Sequence, residues 1–345
     1  MTLPKPPQEV IRQYFGEGVD VHLEPIEVGH IHGSWVAGSR ECSLFIQRIN
    51  NYVFEDIETL DRNIICVLSC LKSSSHGQQY DTLTLQPTLD GKSMIEIHGA
   101  YWRAFIYQQE RKSWSQPQNH AMVSEAGRAF ASFVQGLSSL EPGDLGWTIK
   151  DFHSLQKRIE ALKVAQSRPM VEVTPAIERL IDQALELSAE VSILEDAASK
   201  GSLLTRVVHN DAKLNNLLFD DDDNARCVVD LDTVMPGIIH FDVGDALRTI
   251  TPSHDEESGY HSMTLNLEYY SCFKTAYTDG NWLTKVELEL FDLAAPYMAT
   301  IMGVRFLTDY LQGDVYFKTS HSDQNLKRAN NQLHLATLFL EIPLP

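Results

Sequence analysis

The chain has 345 residues, 43% hydrophobic and 22% charged, with a net charge of −19. That length exceeds what one core usually holds, so two lobes or domains are expected. The acidic balance argues against nucleic acid, whose phosphates call for a basic face, and against an anionic membrane surface; it leaves ATP open, because a local site with Mg²⁺ offsets the overall field.

Five cysteines (Cys42, Cys66, Cys70, Cys227 and Cys272) form no C-x-x-C and are odd in number. They read as reduced thiols of a cytoplasmic protein. The opening MTLPKPPQEV lacks the apolar run of a signal peptide. No stretch approaches the roughly 18 apolar residues of a membrane span.

In chain order, Val10 to Phe15 has the spacing of a short amphipathic helix. Val21–Val28, Trp35–Ala37 and Leu44–Ile49 are short apolar runs broken by Gly29, Gly33 and Gly38, and predict strands of an antiparallel meander. Asp56 to Leu71 carries Ile57, Leu60, Ile64, Leu68 and Leu71 at helical spacing. Thr82–Pro87, Met94–Ile97 and Tyr101–Tyr107 are further strands, the last two joined by a turn at His98-Gly99-Ala100.

The texture changes near residue 111. Lys112–His120 is polar and loop-like; helices are predicted from Ala121, over Asp151–Val164 and over Thr174–Ser199. A β interlude follows, with Leu204–Val208 and a hairpin of Leu217–Phe219 and Cys227–Leu231 around Asp220–Asn224. Helices return at Leu265–Tyr277, Thr284–Leu311 and Gln324–Leu340. A β-rich N-terminal lobe, 1–110, thus precedes a mainly helical lobe, 111–345.

The segment with chemical content is VVHNDAKLNNLLFDDDDNARCVVDLD, Val207–Asp232. Phosphoryl transfer from ATP needs a carboxylate to orient the acceptor hydroxyl and oxygen ligands to hold Mg²⁺ on the phosphates. Asp211 suits the first task. Asn216 and Asp230 suit the second, since hard Mg²⁺ prefers oxygen. Asp232 would face the same side of a strand as Asp230 and reads equally as a second metal ligand or a solvated neighbour. The Asp220–Asp223 run reads as a solvated hairpin tip.

H-x-D-x-x-x-x-N followed by an apolar strand and V-V-D resembles the catalytic core of the aminoglycoside phosphotransferase and choline kinase-like superfamily, relatives of protein kinases. The resemblance implies a two-lobed α+β kinase-like fold, Asp211 as catalytic base, Asn216 and Asp230 as magnesium ligands, and His209 as support for the loop. HNDAKLNNLLFD, VVDLDTVMPG, FDVGDALR, GVRFLTDYLQGDVYF and VGHIHGSW are similar to the hexosamine 1-kinase branch, from about residue 25 to 335. That branch uses ATP to phosphorylate the anomeric C1 hydroxyl of N-acetylgalactosamine or N-acetylglucosamine, so a sugar 1-phosphate product is implied.

On this reading His30, Gly33 and Ser34 belong to a loop over the phosphates, and Gln108 and Glu110 to the adenine hinge. Arg305 and Tyr316, with His32, would contact the sugar. Asp245 and Arg248 would lie behind the metal aspartate. Kinases usually carry a phosphate-binding Lys on the third strand; here SLFIQRIN offers Gln47, which leaves the phosphate charge to His30, Arg48 or Lys213. Asp245 also reads as a helix N-terminal carboxylate, and Arg305 as an i,i+4 partner of Asp309. A kinase for an amino alcohol, homoserine or an aminoglycoside is the alternative within enzymes, and a nucleotide- or sugar-binding pseudokinase the alternative outside them.

Overall fold

The computed structural model describes residues 5–26 and 31–341. Helix α1 (Gln8–Phe15) precedes three strands, β1 (His22–Ile26), β2 (Gly33–Gly38) and β3 (Ser43–Arg48). Helix α2 (Ile57–Ser73) and the short α3 (His76–Gln79) then lead to β4 (Leu85–Gln86), β5 (Met94–Ile97) and β6 (Ala100–Ile106). These strands form one antiparallel sheet in the order β1-β2-β3-β6, with β4 and β5 sharing the outer edge of β6.

The β5–β6 turn is tighter than the sequence suggested, because Ala100 already pairs with Ile97. His98 and Gly99 alone make it, both with positive φ (53° and 73°). That is the backbone a two-residue hairpin favours, since its twist matches that of the strands. The sheet buries Trp35, Ala37, Leu44, Ile46 and Trp102 against Val10, Ile11 and Tyr14 of α1. Phe45 and Phe105 join the main core, where α2 contributes Leu60, Ile64, Val67 and Leu71. Asp56 caps α2 by accepting from the Thr59 N–H at 2.9 Å.

The helical part begins with α4 (His120–Gly136), followed by α5 (Leu155–Ser167), α6 (Pro175–Val191) and α7 (Ile193–Ser199). The single helix expected over Thr174–Ser199 is therefore two, parted at Ser192. Strand β7 (Arg206–Val208), hairpin β8 (Leu217–Phe219)–β9 (Ala225–Val228), and β10 (Met235–Gly237) come next. β10 pairs antiparallel with β7, a strand the sequence reading missed. Helices α8 (Ile239–Ile250), α9 (Leu267–Thr278), α10 (Lys285–Glu289), α11 (Ala294–Leu311) and α12 (Gln324–Glu341) complete the chain. The expected Thr284–Leu311 helix is divided by a 3-10 turn at Phe291–Leu293. It restarts where Pro296 falls in a first turn, the position that tolerates a missing N–H. No helix among the described residues is long and apolar enough to cross a membrane.

Candidate active site

β7 and β10 hold the two ends of the site together. β7 delivers the chain into a loop at His209, and the β8–β9 hairpin returns it to Asp230. Asn210 and Asp230 both take the left-handed conformation, each with φ 61°, which Asn and Asp tolerate better than other side chains. The loop is pinned from below by Asp242 of α8, whose carboxylate accepts from the backbone N–H of His209 (2.9 Å) and of Asn210 (2.7 Å). The buried His209 ring contacts the Val229 carbonyl through Nε2 at 2.9 Å, beside Asp230. Asn210 Nδ2 donates to the Thr233 carbonyl at 3.0 Å.

Asp211 and Asn216 meet directly. Asn216 Nδ2 donates to the Asp211 carbonyl (2.7 Å) and to its Oδ2 (2.9 Å). The amide nitrogen is thereby committed, and Oδ1 is free of any hydrogen bond among the described residues. The Asn216 carbonyl accepts from the Val229 N–H at 2.9 Å, so Asn216 and Asp230 lie at the same end of the hairpin. Asp230 accepts no side-chain hydrogen bond among the described residues. Its pKa is raised, first by desolvation and then by the charges of Asp232 and Asp211, with His32 and Lys213 opposing.

Such a carboxylate, crowded by other carboxylates and in no direct ion pair among the described residues, suits a cation. Among the described residues no three His, Cys, Asp or Glu side chains converge as a self-sufficient cage. Asp230 with Asn216 offers two oxygens, the share a protein gives a Mg²⁺ that keeps phosphate and water as its other ligands.

Lys213 Nζ lies 3.0 Å from Asp211 Oδ1. Burial would raise the Asp211 pKa, but Lys213, His209 and the Asn216 hydrogen bond outweigh it and lower the value to about 2. Asp245 and Arg248 form a buried pair at 2.6 Å in the middle of α8, not at its N-terminus, and they act electrostatically on Lys213. Besides Arg248, the charges that act on Asp245 are those of Asp211 and Lys213.

Asp232 is neither a strand neighbour of Asp230 nor solvated. Residues 231–233 form a 3-10 turn, and Asp232 is buried, 2% exposed. Its carboxylate receives both Nη1 and Nη2 of Arg103, the latter at 2.6 Å, and His32 Nε2 at 2.6 Å. Burial works against its charge; Arg103 and His32 overcome that and hold it well below the usual carboxylate range. His32 Nδ1 accepts from the Asn50 N–H at 3.1 Å, so both ring nitrogens are engaged within the protein. Gln47 Oε1 accepts from Arg103 Nε (3.0 Å) and Nη2 (2.6 Å), and its Nε2 donates to Ser34 Oγ at 3.4 Å. Sequence reasoning missed Arg103 and Asp242. The one available signal for Arg103 was a lone charge inside the apolar strand AYWRAFI.

Gly33 and Ser34 open β2, paired with Arg48 and Gln47. His30 lies outside the described residues, as does Gly29 of the same loop. Gln108 and Glu110 sit in the linker after β6, which bridges to the hairpin through reciprocal Lys112 and Phe219 backbone bonds. On α11, the Arg305 guanidinium lies 5.2 Å from the centre of the Phe152 ring, 5.6 Å from Tyr316 and 5.3 Å from Phe317. Arg305 is not the i,i+4 partner of Asp309, whose carboxylate instead accepts backbone N–H groups of residues 315–317. His153 connects this group to the loop: its Nε2 contacts the Asn210 carbonyl at 2.8 Å. Burial lowers its pKa to about 3, so it is neutral at pH 7.

A β-sheet lobe on a helical lobe, with an Asp–Asn loop facing a hairpin aspartate, defines the kinase-like class of phosphotransferases. The sequence profile of the phosphotransferase enzyme family (APH) matches residues 86–262, half of the chain, and the protein belongs to that family. Solved structures share the fold. A microcompartment-associated aminopropanol kinase superposes with a TM-score of 0.67 at 15% identity, over 96% of this chain and 95% of that one. A spectinomycin phosphotransferase bound to ADP and spectinomycin gives 0.62 at 14%, over 97% of each chain. An amicoumacin kinase bound to AMP-PNP and Ca²⁺ gives 0.60 at 12%, over 96% and 92%.

Proposed function

We propose that the chain transfers the γ-phosphoryl group of ATP to the anomeric hydroxyl of an N-acetylhexosamine, giving a sugar 1-phosphate. Residues 1–110 form the nucleotide lobe, with Gly33 and Ser34 near the phosphates and Gln108 and Glu110 at the adenine; residues 111–345 carry the acceptor. Asp211 is the base, and Asn216 and Asp230 hold Mg²⁺, which when bound neutralises phosphate charge. The amicoumacin kinase, crystallised with AMP-PNP and Ca²⁺, supports this nucleotide and divalent-metal use.

In the reaction the acceptor oxygen bonds to the γ-phosphorus, the bond from that phosphorus to the β,γ-bridging oxygen breaks, and the hydroxyl proton passes to Asp211. With its pKa held near 2, Asp211 is a weak base. Its main part is therefore to orient the hydroxyl in line, and it takes the proton late, as a loose phosphoryl-transfer transition state allows. An anomeric hydroxyl, more acidic than other sugar hydroxyls, fits so weak a base. Lys213, beside Asp211, supplies positive charge on the side where the phosphoryl group crosses.

The observation that carries the acceptor class is the set of groups around Arg305. Three aromatic rings and a guanidinium line this side, and Arg158 acts electrostatically on Arg305. Burial and Arg305 lower the Arg158 pKa to about 10. The Asp245 carboxylate is already matched by Arg248. A cationic amine acceptor would be repelled here, whereas a neutral sugar offers ring faces to Tyr316 and Phe317 and acceptor oxygens to Arg305. All five cysteines are free thiols, which fits work in a reducing cytoplasm.

The test is a panel of N-acetylhexosamines, hexoses, amino alcohols, homoserine and aminoglycosides with ATP, the product's phosphate located by ³¹P NMR. Transfer to C1 of an N-acetylhexosamine is expected. Transfer to an amino alcohol with none to the sugars, or attachment at C6, would overturn the reading.

A further inference from the structure

Resting on the phosphotransfer reading above, we propose that Arg103 and Asp232 are positioning residues that clamp the N-terminal sheet to the turn carrying Asp230, and so fix the metal-binding carboxylate. Arg103 faces Gln47 across the β3–β6 register. Where a phosphate-binding cation is expected on the third strand, this chain has an amide whose oxygen anchors the guanidinium of the next strand, at 3.0 Å from Nε and 2.6 Å from Nη2. The fork then reaches both oxygens of Asp232. A bidentate arginine–carboxylate pair is planar and sets orientation as well as distance.

His32 tightens the same carboxylate. Because its Nδ1 accepts from the Asn50 N–H, Nε2 carries the proton and donates to Asp232 Oδ2. With three donors on two oxygens, Asp232 is occupied and does not act as a ligand. Two residues earlier, Asp230 holds a left-handed backbone, φ 61°, a conformation that persists when neighbours over-determine it. The turn between them is held from the other side as well. Thr233 Oγ1 donates to the His209 carbonyl at 2.8 Å, and the Thr233 carbonyl accepts from Asn210. Asp230 is thus suspended between the sheet and the Asp211 loop.

A buried ion pair is a weak source of folding stability, since desolvation offsets its attraction; apolar replacements of similar volume are commonly tolerated. The clamp is therefore separable from the fold. The measurement is Mn²⁺ binding, followed by electron paramagnetic resonance, to the full chain with ADP. Arg103→Lys keeps the charge but loses the fork, and the double variant Arg103→Met/Asp232→Leu removes both charges. Each is expected to weaken Mn²⁺ by about tenfold, the usual cost of losing a residue that orients a metal ligand, while the thermal midpoint of the double variant stays close to wild type. Asp230→Asn is expected to abolish binding. If Asp230→Asn loses Mn²⁺ while Arg103→Lys and the double variant bind it as wild type does, the clamp is refuted and the metal reading stands. If Asp230→Asn itself binds Mn²⁺ normally, both fall.

Discussion

The carboxylate of Asp309, on α11, accepts a 2.7 Å hydrogen bond from the backbone N–H of Tyr316. It also accepts from the N–H groups of Val315 and Phe317 and from Asn325 Nδ2, each at 2.9 Å. One buried charge therefore shapes the loop that sets Tyr316 and Phe317 against Arg305. A hydrogen bond to a charged group is worth about 1.5–3 kcal/mol. Asp309→Asn keeps one acceptor oxygen and points an NH₂ at donors, so the loop loosens. The expected outcome is a rise of about tenfold or more in KM for the acceptor with KM for ATP unchanged, read from steady-state kinetics with each substrate varied in turn. An unchanged acceptor KM would remove this loop from the acceptor site.

Lys213 is expected to set the acid side of the rate profile. Without it, burial, the largest influence on Asp211 and one that favours the protonated form, loses its main opponent. In the wild type, where the Asp211 pKa is about 2, Asp211 itself should add no acid limb to kcat/KM as far as the fold survives. In Lys213→Met the Asp211 pKa rises, and activity should fall at higher pH as well as in absolute size. Profiles between about pH 4.5 and 8 decide it. A variant curve that is merely scaled down, with no displaced acid limb, would show that Lys213 does not set the ionisation of Asp211.

The residues of the proposed inner ring were legible in the sequence and the groups around them were not, for a physical reason. Asp211, Asn216 and Asp230 lie within one short segment, and the chemistry of Mg²⁺ and of a hydroxyl acceptor restricts which residue types can stand there. Arg103, Gln47, His32 and Asp232 meet only because β3 and β6 pair in one register and a turn 129 residues beyond Arg103 folds back on them. No local period encodes that. Asp230 and Asp232 mislead in a strand reading, since alternation assumes extended backbone and Asp230 is left-handed. The breaks at Ser192 and before α11 were likewise hidden by helical periodicity that continues across both.

Asp242 should leave a mark on stability against pH. Burial, partly countered by His209 and the two backbone N–H groups, raises its pKa from 3.8 to about 6. A carboxyl with a raised folded pKa contributes stability that is full below about pH 4 and is lost as pH climbs through about 6. The shift amounts to about 3 kcal/mol. Urea unfolding at pH 4 and pH 6.5 should show a loss of that order in wild type relative to Asp242→Asn, which has no proton to release. Parallel changes in the two proteins would mean that Asp242 does not titrate in this range.

Gly244→Ala sets two effects against each other. In a helix interior Ala is better than Gly by about 1 kcal/mol. At this position a Cβ would stand 2.2 Å from the Ala294 carbonyl oxygen and 2.5 Å from Met298 Cγ. The side chain of Met298 can turn aside; the carbonyl of Ala294 belongs to α11 and cannot. α8 and α11 must then separate, and overpacking of that kind costs about 1–3 kcal/mol or more. The clash wins, and because α8 carries Asp242, Asp245 and Arg248, separation also tilts the loop at Asp211. Gly244→Ala should therefore unfold at lower urea and lose turnover. Gly143→Ala, whose Cβ meets nothing within 4 Å, should stay within about 0.5 kcal/mol of wild type. A Gly244→Ala variant as stable as wild type would show that α8 and α11 do not pack as closely as described.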